Sequence, residues 1–216
     1  MAKWKVFAQS LRLRLGMRLS EVDPAKAQSV VQDALSKGVL MSNEDNALFA
    51  YNEQVPFVNP WYNEFELETI TLAVTNTMID KLKALNDPRL AAFAEPADAL
   101  GEYIGMPYGV NAAVAGSIKN EEVSLPSNTI IASTFPAMLQ PYSEVLFLQT
   151  EAAARGWSGG SAEQLYNQAI TASMQQWGVA EADIATYLAQ PEIAFDAGNF
   201  RQSIGDQKWL GLYMQG

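Results

Sequence analysis

The chain has no cysteine and no histidine. Without cysteine there can be no disulfide, no thiolate nucleophile and no cysteine-based zinc site. Without histidine no imidazole is available to shuttle protons near neutral pH or to bind a metal. Basic residues are also scarce, with 14 Lys and Arg against 24 Asp and Glu, a net charge of −10. The scarcity is uneven. The first 18 residues carry five basic groups and no acidic ones, and the remainder is strongly negative. An acidic body argues against nucleic acid and against anionic membrane surfaces, and it suits a neutral ligand better than a phosphorylated one. Arg12, Arg14 and Arg18 are read as helix arginines that snorkel or pair with acidic neighbours. No stretch of 18 apolar residues is present to span a membrane. No signal peptide is read ahead of Trp4. What is present is apolar: 49% of 216 residues are hydrophobic, enough for one globular domain with a proper core.

Residues 156–161, "GWSGGS", fit the G-x-S-x-G pattern of a nucleophile elbow. Ser158 has no histidine to take its proton, and the nearest lysine is more than 35 residues away. The flanking residues predict a turn instead. Tyr142 to Arg155 has no helix breaker, and Gly156 falls where a helix C′ glycine belongs. "SAEQ" reads as a capping box, with Ser161 as N-cap and Gln164 at N3, ahead of a second helix that Gly178 closes. An elbow joins strand to helix, whereas this turn joins helix to helix.

A similar hairpin is expected near the start. Trp4, Phe7, Leu11, Leu15 and Leu19 step by three or four along one helix face, the face expected to be buried. Asp23-Pro24 supplies an N-cap and an N1 proline. Ala27, Val30, Ala34 and Leu35 continue the stripe to Gly38. The hairpins at 4–38 and 142–178 approach the 34-residue period of tetratricopeptide (TPR) units. The fold class is therefore mostly α, TPR-like hairpins with long irregular loops, read as one domain over residues 1–216. Leu67, Ile70, Val74, Met78, Leu82 and Leu85 predict one face of a helix stopped by Asn86-Asp87-Pro88. "AEADIATYLAQP" and Phe200–Met214 are further helices. Loop-rich segments occupy 39–65 and 87–140, with a short strand expected at "NTIIAST" (128–134).

Five motifs occur in order: "WKVFAQSLRLRLGMRLSEVDPAKAQSVVQDAL", "LKALNDPRLAAFAEP", "YSEVLFLQTEAAARGW", "LYNQAITASMQQWGV" and "IGDQKWLGLYMQG". Together they resemble the SusD/RagB family of nutrient-binding outer-membrane lipoproteins. The resemblance implies a helical TPR-like fold whose loops form a glycan-binding face. It further implies a non-enzymatic protein, lipid-anchored at the cell surface, that delivers oligosaccharide to a SusC-like TonB-dependent transporter. Family members are longer and begin with a signal peptide and a lipid-bearing cysteine, so the chain resembles an internal fragment. No cofactor or metal is implied.

Sugars stack on flat aromatic rings and hydrogen-bond to amides and carboxylates beside them. The densest such cluster is "AYNEQVPFVNPWYNEF" (50–65), from which Tyr51, Trp61 and Tyr62 are the candidate platform and Asn59 and Asn63 the candidate hydrogen-bonding amides. The same rings could instead anchor the loop to the helices. "EYIGMPYG", with Tyr103 and Tyr108, is a second candidate. Trp157, Trp177 and Trp209 are assigned to the core. Asp45 in "SNEDNA" is a weak calcium candidate whose spacing does not fit an EF-hand loop. Two other classes stay open: a glycosidase using Glu64, Glu66 or Glu68 near the rings, and a TPR-like adaptor that binds peptides in helix grooves.

Overall fold

In the computed structural model of the chain, residues 2–66 and 72–215 are described. The principal elements in chain order are α1 (Ala2–Arg18), α2 (Pro24–Ser36), β1 (Ala47–Phe49), α3 (Pro60–Glu66), α4 (Asn76–Ala84), α5 (Leu90–Phe93) and α6 (Ala112–Ala115). They continue with β2 (Ala137–Gln140), α7 (Tyr142–Ala154), α8 (Ala162–Gln176), α9 (Glu181–Leu188) and α10 (Phe200–Gly211). β1 pairs with β2 in a two-stranded sheet. The chain groups into two compact units. The first comprises Met1–Leu48, Met138–Gln176 and Ala180–Gly216, and the second Phe49–Ala137 and Trp177–Val179.

Unit 1 is built of helical hairpins. Helix α1 packs against α2, and α7 against α8. Asp23 caps α2 by accepting the Lys26 N–H at 3.0 Å, and Pro24 occupies the first turn. The Ser161 hydroxyl accepts the Gln164 N–H at 3.3 Å at the start of α8. Between the hairpin's helices Gly156 takes φ +73°, the left-handed conformation of a helix-ending glycine. Helix α7 is central, with Val145, Leu146, Phe147, Leu148 and Ala152 all buried. It shares a core with Leu13 and Met17 of α1 and with Val31 and Ala34 of α2. Arg14 Nε donates to Glu144 Oε1 at 2.8 Å and Arg12 pairs with Asp33 at 2.6 Å, so both arginines have the acidic partners expected of them.

The buried face of α1 differs from the predicted stripe. Ser10, Leu13, Gly16 and Met17 are buried, whereas Trp4 and Leu15 are 75% and 61% exposed. Small residues explain this. A Cβ on Gly16 would lie 3.1 Å from Val30 Cγ1 and from Val31 Cγ2, so glycine sets the approach of α2. Ser10 is satisfied by donating to the Val6 carbonyl at 2.9 Å and accepting the Leu40 N–H at 3.0 Å. Trp209, assigned to the core, is 44% exposed because α10 buries Ile204, Gln207, Leu210 and Gly211 instead.

Unit 2 is loop-rich and is stitched by backbone bridges. The predicted long helix begins only at Asn76. Thr75 caps it, and the preceding Val74 is extended, donating to the Ser124 carbonyl at 2.9 Å and accepting from Met106 at 2.8 Å. Leu67 and Ile70 of that prediction lie outside the described residues. "NTIIAST" is a series of turns, with Ile130 donating to Ser127 and Phe135 to Ala132, so the strand lies further on at Ala137–Gln140. The segment 60–66, placed in a loop, forms α3, with Pro60 at its first position. Phe93 meets Trp177 edge to face, with centroids 4.8 Å apart, and Phe135 stacks on the same indole. "NDPRL" is a buried ion pair: Arg89 Nε donates to Asp87 Oδ1 at 2.9 Å, with both side chains fully enclosed.

Candidate functional site

Of three extended segments of unit 2 that are bridged to one another, two, 94–97 and 123–126, line a cavity. Residues 94–97, 102–106 and 123–126 are tied by Glu95 N–H to Leu125 O at 2.9 Å, Ala97 N–H to Glu102 O at 2.8 Å and Ser124 N–H to Ile104 O at 2.6 Å. The cavity holds about 450 Å³ and is lined by Phe65, Glu95, Asp98, Asn120, Asn128 and Ile131, among others. That volume lies within the range of about 300–1,000 Å³ usual for small-ligand sites. Its lining combines an aromatic ring, aliphatic surface, two amides and two carboxylates. Asn128 donates to Glu95 Oε1 from its backbone at 2.9 Å and from its amide at 3.0 Å, so this carboxylate is held in place. Tyr103 is part-buried, and its phenol is raised above its usual value, first by burial and then by the negative charge of Glu95.

The structure separates the predicted site residues. Asn59 is buried at 2% exposure. Its amide donates to Ile130 O at 2.7 Å and Ala132 O at 3.0 Å, and its side-chain oxygen accepts the Trp61 N–H at 3.2 Å. These contacts occupy the amide expected to face sugar hydroxyls and make Asn59 a support for the start of α3. Tyr51, Trp61, Tyr62 and Asn63 are half-buried, and Phe57 and Phe49 are 65% and 56% exposed. Trp61 and Phe65 are four residues apart on α3 and Tyr62 and Phe65 three apart, spacings that make helix residues neighbours. Of the aromatic residues in this stretch Phe65 lines the cavity, and Tyr51, Trp61 and Tyr62 are not among its lining residues. Tyr108 is 80% exposed. Glu64 is exposed, while the Glu66 side chain and Glu68 lie outside the described residues. Asp45 accepts the Met41 N–H at 3.1 Å within its own turn, and no group of three acidic side chains suited to a metal occurs among the described residues.

Sequence reasoning missed Glu95, Asp98, Asn120 and Asn128. They come from turns without periodicity, and only the bridges between segments distant in sequence bring them together. The one signal was the density of Pro, Gly and Asp around 95–101.

Unit 1 contains Ser158 in its inter-helix turn. It also has a cavity of about 440 Å³ lined by Glu21, Glu151, Arg155, Arg201 and Lys208. Arg155 and Arg201 both pair with Glu21, at 2.5 and 2.8 Å. No helix among the described residues is long and apolar enough to cross a membrane.

Unit 1 and the cavity of unit 2 define a class, a helical-hairpin protein that carries a loop-built pocket. The chain belongs to the SusD-like family described as starch-binding and associating with the outer membrane, whose pattern matches residues 1–216. It is similar to a chitin-binding protein of known structure at 30% identity and a TM-score of 0.85, over 99% of this chain and 49% of that one. A chitin-binding SusD homologue from Flavobacterium johnsoniae matches at 26% identity and 0.85, over 99% and 48%. A SusD homologue from Bacteroides fragilis matches at 25% and 0.85, over 98% and 52%. The chain thus spans about half the length of these solved relatives. No curated protein matches it.

Proposed function

We propose that the chain binds an oligosaccharide in the cavity of unit 2, as a binding protein and not as an enzyme. The observation that carries this reading is the cavity lining. Phe65 offers a flat apolar face, and Glu95, Asp98, Asn120 and Asn128 offer hydrogen-bonding groups around it. Trp61, Tyr62 and Tyr51 extend the aromatic surface along the same segment, with Asn63 among them. The family and the chitin-binding relatives support a glycan as ligand. Ser158 has no histidine to activate it, and the carboxylate-based glycosidase reading draws no support from the family.

Affinity electrophoresis against a polysaccharide panel, with an assay for released reducing ends, tests the proposal. Retardation by a glycan without products is expected. Trp61→Ala and Phe65→Ala should each weaken binding about tenfold or more, the loss of one stacking ring, while melting like the parent. Unchanged affinity in both folded variants would contradict it. In the cell the function extends to a surface location, lipid-anchored in the full-length protein, and to delivery of the glycan to a SusC-like TonB-dependent transporter. Co-purification of that transporter with the tagged full-length protein checks the partnership. Its absence would leave the peptide-binding TPR-like adaptor to be tested by the same pull-down.

A further inference from the structure

The charge around the unit 2 cavity narrows the kind of sugar it takes, given the oligosaccharide reading on which this step rests. Residues 49–137 contain eleven Asp and Glu against four Lys and Arg. The four cations are committed elsewhere. Arg89 is enclosed with Asp87, Lys119 pairs with Glu121 at 3.4 Å, Lys83 donates to the Tyr103 carbonyl at 3.2 Å, and Lys81 has a partner of its own. None of them lines the cavity, whereas Glu95 and Asp98 both do. The hydrogen bonds that Glu95 accepts come from the neutral Asn128, which orients the carboxylate without cancelling its charge.

An anionic ligand entering this cavity meets like charge, and no Lys or Arg is among the described residues that line it. A neutral sugar hydroxyl donates to these carboxylates in hydrogen bonds that are already charge-assisted, because the acceptor is ionised. A sugar bearing an ammonium group donates from a full positive charge, so attraction between opposite charges is added to the hydrogen bond. The ring of Phe65 adds a face for the sugar's C–H surface and for the cation. We infer that the cavity selects an oligosaccharide carrying a free, protonated amino group, a deacetylated amino sugar, over its N-acetylated counterpart, and rejects uronates. Glu95 and Asp98 are the specificity-determining residues.

Calorimetric titration of the chain with a β-1,4-linked glucosamine tetramer, its N-acetylated equivalent and a galacturonate tetramer tests this. The free-amine tetramer should bind about tenfold more tightly than the acetylated one, the difference expected of one added ion pair in a partly enclosed cavity, and the uronate should not bind. The double variant Glu95→Gln, Asp98→Asn should equalise the two amino sugars without a drop in melting temperature, since the amide oxygen introduced in place of the Glu95 carboxylate still accepts from Asn128. Equal or tighter binding of the acetylated tetramer, or binding of the uronate, would overturn the inference. If another neutral glycan binds and loses affinity in Phe65→Ala while none of these three binds, the amino-sugar selection alone is overturned. If no glycan of any class binds, the reading beneath it falls as well.

Discussion

Asn59 shows how a residue can belong to a binding segment without touching the ligand. Its amide and carbonyl make three hydrogen bonds inside unit 2, to Ile130, Ala132 and Trp61. Asn59→Ala would leave two carbonyls and an N–H without these partners in a buried setting, so unit 2 should lose about 2–4 kcal/mol in chemical denaturation. A change within experimental error would return Asn59 to the ligand-facing set. Its companions were legible as aromatic and amide letters in one stretch. Which of them is buried was not, because that depends on backbone carbonyls some seventy residues away. Tyr213 provides a second residue-level test, in unit 1. Burial pushes its phenol from the ordinary 10.0 up to about 12. A folded pKa above the unfolded one means that the contribution to stability is complete below pH 10. It is lost as pH rises through the window from 10 to about 12. Urea unfolding across that window should show the parent losing stability more steeply than Tyr213→Phe. Parallel profiles would contradict the assignment.

At the scale of elements, helix ends were easier to read than helix faces. Asp23, Pro24, Gly156 and Ser161 each act through local backbone geometry, and each stands where its chemistry placed it. The face of α1 was misjudged because counting apolar side chains ignores close packing at Gly16 and Ser10. The extended segments of unit 2 carry no period at all. Their positions follow from pairings such as Thr75 with Met106. Gly105 makes that pairing possible, since a Cβ there would fall 2.2 Å from Asn76 Cα and 2.4 Å from its nitrogen. Backbone atoms cannot step aside as a side chain tip can. Gly105→Ala should therefore destabilise unit 2 by several kcal/mol, on the order of 3 or more, and distort the frame of the cavity. Differential scanning calorimetry of the variant, together with its glycan affinity, checks this. Retention of both would refute the close-approach argument.

For the whole molecule, the composition already limited the chemistry. A chain without histidine or cysteine offers no imidazole or thiolate, and a net charge of −10 gives it little attraction for polyanions. Five ordered motifs pointed to the family, and the match over residues 1–216 bears that out. The division into two units was less visible. Unit 2 runs from Phe49, the last residue of β1, to Ala137, the first of β2, and takes in Trp177–Val179 from beyond α8, which nothing in local periodicity announces. The central claim is that ligand chemistry resides in unit 2 and that unit 1 is scaffold. Amide chemical-shift mapping during titration with an amino-sugar tetramer measures this directly. The account predicts shifts concentrated at residues 60–66, 94–103 and 120–131, saturating together, with α1, α2, α7 and α8 unmoved. Saturable shifts confined to the helices of unit 1, with the cavity residues unchanged, would contradict it.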